Sequence, residues 1–112
     1  MEVKNLTDNV LSITLSSCEP QISKELKEIN EIVSKKDDCD VVVDLTYVEI
    51  INSSNISNLL ILRGFLEEHG RKLFLFNVQT ITKCIFVIAG LTEVFNFIDD
   101  KADALKAVQT TA

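Results

Sequence analysis

From Val10 to Ser16 the side chains alternate, with Leu11, Ile13 and Leu15 on one side and Ser12, Thr14 and Ser16 on the other. A period of two is the mark of a half-buried strand. Val3–Leu6 is a second, shorter β candidate, and Thr7-Asp8-Asn9 between them reads as a turn, so the pair predicts a hairpin. The period then changes. Pro20 suits the first turn of a helix, and Ile22, Leu26, Ile29 and Val33 follow at helical spacing as one apolar stripe. Lys24, Lys27, Glu28 and Glu31 fill the opposite face, and Lys35-Lys36-Asp37-Asp38 ends the helix in solvent.

The β-branched run Val41-Val42-Val43 with Asp44-Leu45 predicts a central strand, covered on both sides or flanked by strands. Leu59–Leu66 carry a helix that stops at His69-Gly70, glycine being a common C-terminal cap. Lys72–Asn77 is a further strand, Thr80–Ala89 a helix stopping at Gly90, and Phe95–Ile98 a short strand. Asp99 or Asp100 caps a last helix through Ala102, Leu105 and Val108. The order ββαβαβαβα predicts an α/β fold: a mixed, mostly parallel sheet with helices.

Bulk properties narrow the function. At 112 residues the chain fits a single domain spanning 1–112, and at 46% hydrophobic it can build a core without disulfides or metal. A net charge of −6 argues against nucleic acid and anionic membranes as partners, since both select basic patches. No apolar run reaches the roughly 18 residues of a membrane span, and the first residues do not resemble a signal peptide. Cys18, Cys39 and Cys84 are odd in number and widely spaced, which implies neither a disulfide framework nor a zinc site. A reducing, cytoplasmic setting is expected, with no cofactor and no metal. Cys84 reads as core within its apolar helix, whereas Cys18 and Cys39, at element ends, could be exposed.

Chemistry concentrates between the central strand and its helix, where ligand-binding loops of α/β sheets lie. The segment Val48-Glu49-Ile50-Ile51-Asn52-Ser53-Ser54-Asn55-Ile56 places Asn52 as helix N-cap and Ser53 and Ser54 in the first turn. Free backbone N–H groups and the helix dipole favour an anion there by about 0.3–1 kcal/mol. A phosphate on Ser53 would suit the fold while adding about −1.5 to −2 charges to a docking surface. The same residues equally suit an ordinary helix start. Downstream, the apolar residues Ile56, Leu59, Leu60, Ile61, Leu62, Phe65 and Leu66 exceed what one buried stripe needs. At least one of Ile61 and Leu62 should reach the surface and, with Asn55, Ser57 and Asn58, form a mixed docking patch.

The Asn52–Ile56 loop, the strands Val41–Leu45 and Leu73–Asn77, the Gly90-Leu91…Phe95 block and Ala104-Leu105 together resemble the STAS domain family of anti-sigma factor antagonists. The resemblance implies a non-catalytic switch module whose partner is a serine kinase that doubles as an anti-sigma factor. It further implies phosphorylation on Ser53 releasing that partner, and a PP2C-type phosphatase reversing the mark. Asn52, Ser54, Asn55, Ser57 and Asn58 would then contact the partner, and a homodimer is possible. Asn52 stands where the family usually has aspartate and Asn55 where it usually has glycine. Ser16–Pro20 lacks the family's Gly-x-Leu/Ile-Asp. These departures leave two other roles open: an adaptor that is not phosphorylated, or a scaffold subunit such as that of a lipid-transport ABC complex.

Other candidates are weaker. His69, the single histidine, falls at a helix C-terminus with no nucleophile beside it. Asp37-Asp38 and Asp99-Asp100 read as a solvated turn and a helix cap rather than metal ligands. Gly64, Gly70 and Gly90 form no phosphate-binding loop, which excludes P-loop and Rossmann nucleotide enzymes.

Overall fold

The alternating and helical periods emerge as nine elements. They are β1 (Glu2–Thr7), β2 (Val10–Thr14), α1 (Gln21–Lys35), β3 (Asp40–Asp44), α2 (Ser53–Glu68), β4 (Leu73–Phe76), α3 (Thr80–Ile88), β5 (Asn96–Ile98) and α4 (Lys101–Gln109). The structure, a computed structural model, describes residues 1–36 and 38–109, without the side chains of 108 and 109. Asp37 and the expected contribution of Val108 to the last helix therefore lie outside the described residues. The five strands form one sheet in the order β1-β2-β3-β4-β5. β1 pairs antiparallel with β2, and every later pair is parallel. This is the predicted hairpin followed by the predicted parallel part.

Two apolar layers flank the sheet. On one face Ile13, Val41, Val43, Leu73 and Leu75 pack with residues of α1, α2 and α3. On the other, Val10, Val42 and Phe74 pack against Ala104 of α4. The α1 stripe Ile22, Leu26, Ile29 and Val33 is wholly buried, each side chain contributing about 1.5–3 kcal/mol. Because α4 covers the second face, β2 is not the half-buried strand its alternation predicts: Ser12 is buried with its neighbours, while Thr14 is partly exposed.

Both long connections leave helices through a left-handed glycine. Gly70 (φ +68) and Gly90 (φ +73) follow the ends of α2 and α3. Behind them Arg71 N–H donates to Leu66 carbonyl at 2.7 Å, and Leu91 N–H to Phe86 carbonyl at 2.9 Å. Each closes a Schellman motif, which a residue with a Cβ would strain.

The cysteines depart from expectation. Cys84 is exposed, because α3 buries Thr82 and Phe86 and turns Cys84 outward. Cys39 is buried at the start of β3, and burial together with the neighbouring Asp38 carboxylate pushes its thiol pKa up. Cys18 is exposed.

Candidate functional site

The loop from Leu45 to Asn52 carries α2 away from the carboxyl end of β3. Val48 and Ile51 anchor it in the core, and Glu49 N–H donates to the Ser17 carbonyl at 3.0 Å. Asp44, almost buried, holds the loop's beginning: one carboxylate oxygen accepts from the backbone N–H of Thr46 at 2.9 Å and from its hydroxyl. The other oxygen lies 3.1 Å from the Lys101 ammonium at the start of α4. Asn77 after β4 donates to the Thr46 hydroxyl at 3.1 Å, and Gln79 before α3 donates to the Thr46 carbonyl at 2.9 Å. One aspartate thus fastens the loop to elements far apart in the chain.

At the loop's end Asn52 is the N-cap of α2, as its position predicts. Its side-chain oxygen accepts from Asn55 N–H at 2.8 Å, and the Asn55 side-chain oxygen accepts from Asn52 N–H at 3.0 Å. This is a reciprocal capping box, with asparagine in the place usually taken by glutamate or glutamine. Ser53 and Ser54 open the helix, both exposed, and the first turn holds no acidic residue. The Ser53 hydroxyl has no hydrogen-bond partner among the described residues. By position, the N–H groups of Ser53 and Ser54 have no acceptor within the helix.

Asn55 is not on the docking surface. It is completely buried, and its side-chain amide donates to Glu19 Oε1 at 2.8 Å and to Ser23 Oγ at 3.3 Å. The Ser23 hydroxyl in turn donates to Glu19 Oε2 at 2.6 Å. The Ser23 hydroxyl, followed by the Asn55 amide, holds the Glu19 carboxyl below its ordinary range. Asn55 therefore joins the first turn of α2 to the entry of α1 and cannot contact a partner while the domain is folded. Neither Glu19 nor Ser23 stands out in the sequence, since they lie more than thirty positions from Asn55.

Ser57 is exposed and Asn58 partly so, the latter donating to the Ser54 carbonyl at 3.1 Å. Ile61 reaches the surface and Leu62 does not. Tyr47 and Ile50, in the loop ahead of the helix, are also exposed. The surface around Ser53 therefore mixes hydroxyl, amide and apolar groups. The larger surface depression, about 500 Å³, lies at the hairpin end beside Thr14, Leu15, Ser16 and Tyr47, and none of residues 52–58 lines it. Among the described residues no cluster of His, Cys, Asp and Glu has a metal-binding arrangement, and no helix is long and apolar enough to cross a membrane.

These features define a class: a small α/β module that presents a helix-start serine on an open surface rather than in a cleft. The chain belongs to the STAS domain family, which matches residues 7–104. Among solved structures, a putative anti-sigma factor antagonist from Thermotoga maritima superposes with a TM-score of 0.82 at 15% identity, covering 96% of this chain and 93% of that one. The anti-sigma factor antagonist SpoIIAA in its unphosphorylated form gives 0.73 at 14% identity, with 96% of both chains covered. A serine-to-glutamate variant of RsbS from Moorella thermoacetica gives 0.79 at 13% identity, with 97% of both chains covered. No curated protein sequence shows a significant match. At these identities the shared property is the fold.

Proposed function

We propose that the chain is an anti-sigma factor antagonist-like switch, which binds a partner-switching serine kinase through the Ser53 surface and is released by phosphorylation of Ser53. The observation that carries this reading is the Ser53 hydroxyl: exposed, unpartnered among the described residues, and set at a helix start without acidic neighbours in the first turn. A phosphate there gains from the helix dipole and so leaves the fold intact. It places two new charges between Asn52, Ser54, Ser57 and Asn58, where a docked partner would have to desolvate them. The printed descriptions of SpoIIAA, which exists in unphosphorylated and phosphorylated forms, support the same type of event. A PP2C-type phosphatase would return the protein to its binding form, and the setting for both reactions is the cytoplasm. The domain is substrate and ligand, not catalyst.

The test uses the chain, ATP·Mg and the partner-switching serine kinases of the same genome, with intact mass and peptide mapping. The expected result is a gain of one phosphate, mapped to Ser53 and absent from Ser53→Ala, with kinase capture by the wild type lost in Ser53→Asp. A phosphate that persists in Ser53→Ala refutes the assignment. Equal capture of the kinase by wild type and Ser53→Asp refutes the switch, and capture without any phosphorylation makes the chain an unphosphorylated adaptor.

A further inference from the structure

The short helix α3 is apolar on both sides. Thr82 and Phe86 face the core, yet Ile81, Val87 and Ile88 are 67%, 57% and 86% exposed, and Cys84 is exposed between them. Ile81, Cys84, Ile85 and Ile88 recur at the three- and four-residue spacing of a helix–helix seam, with Ile85 half-buried at its margin. We propose that this face is a homodimerisation surface, in which α3 packs antiparallel against α3 of a second copy.

Two features select a second copy as the occupant. The first is charge. The chain carries 17 acidic against 11 basic residues, so two copies repel over most orientations. Thr80–Ile88 contains no acidic residue, and its one cation, Lys83, lies over the Phe97 ring at 5.7 Å. This helix face is therefore one on which two acidic copies can meet without opposing carboxylates. The second is symmetry. The seam is self-complementary about the midpoint of Cys84 and Ile85: in an antiparallel pair Ile81 of one copy meets Ile88 of the other, and Cys84 meets Ile85. A two-fold interface requires this kind of self-matching, which a different partner would not.

The size of the face sets the strength. Its uncovered apolar area is on the order of 400 Å² per copy, about half the contribution of each partner to a standard interface. The dimer is accordingly weak and concentration-dependent. It does not depend on phosphorylation of Ser53, so it stands or falls separately from the switch.

Sedimentation equilibrium over a wide concentration range tests it, using a Cys18→Ser background so that Cys84 is the accessible thiol. The average mass is expected to rise from monomer toward twice that value, and a short bismaleimide should link Cys84 to Cys84 in the same range. Ile88→Glu is expected to abolish both while leaving the circular dichroism spectrum unchanged, its side chain being outside the core. Ile81→Glu provides a second, independent disruption. A mass that stays monomeric up to millimolar concentration overturns the proposal. So does a dimer that persists in Ile88→Glu and Ile81→Glu.

Discussion

Replacing Asn55 by alanine should unfold the link between two helices without touching an apolar contact of the main core. The substitution removes three side-chain hydrogen bonds, to Asn52 N–H, Glu19 Oε1 and Ser23 Oγ, and keeps the bond that Asn55 donates from its own backbone. The Asn52 N–H loses its acceptor at a partly buried helix start, at a cost of about 1–2 kcal/mol. The bond to Glu19 is charge-assisted, but Glu19 is exposed and is rehydrated when the bond is lost, so about 1 kcal/mol is the fitting value there. Alanine's better helix propensity returns about half a kcal/mol. The net expectation is a loss of about 2 kcal/mol, which for a domain of this size lowers Tm by about 10 °C. Urea melts should show the midpoint falling with an unchanged slope. Asn55→Asp adds a sign test, since it sets a second carboxylate against Glu19. Its deficit relative to wild type should be larger near neutral pH and shrink as the pH is lowered toward the carboxylate range. A loss below about 0.5 kcal/mol for Asn55→Ala, or an Asn55→Asp deficit that does not change with pH, would refute the assigned role of the buried amide.

Two further outcomes follow from buried groups. Glu25 accepts from the Ser16 N–H at 2.8 Å and from the Ser16 hydroxyl at 2.6 Å. Burial works to raise its pKa, but these bonds prevail and hold it below the ordinary value of 4.5. Because the folded pKa is the lower one, the stabilisation is complete above the unfolded value and is lost as pH falls through the folded one. Wild type should therefore lose stability below about pH 4.5, and Glu25→Gln, less stable by about 1–3 kcal/mol at neutral pH, should show a shallower acid limb in pH-dependent melts. Among the thiols, Cys18 and Cys84 should react rapidly with a chromogenic disulfide reagent and Cys39 only on unfolding. Three fast thiols in the native protein would contradict the burial of Cys39.

The elements and their order were legible because each rests on a local pattern. The α1 stripe repeats within one helix, and Gly70 and Gly90 mark helix ends by their own backbone needs. Asn52 as N-cap and Ser53 in the first turn were readable for the same reason, capping being settled within four residues. What depended on contacts across the chain was not. Ser12 follows a solvent-face pattern, yet α4 arrives from the far end of the sequence to cover it. Cys84 sits in a run so uniformly apolar that its buried side cannot be picked out, and the outward one was misassigned. Asn55 is the sharpest case: beside a functional serine, an exposed polar contact was the natural expectation, and only the approach of Glu19 and Ser23 turns it inward.

The fastening of Thr46 has a further consequence. Its contacts come from Asp44, Asn77 and Gln79, and Asp44 is itself engaged by Lys101, so β3, β4 and α4 must all be in place before the loop is fixed. The surface around Ser53 is therefore assembled late and exists only in the complete domain. A partner that recognises this surface is blind to nascent, truncated or partly unfolded chains. The signal such a module transmits would track the number of intact molecules rather than the number synthesised, and a destabilising substitution far from Ser53 would read out as weakened signalling.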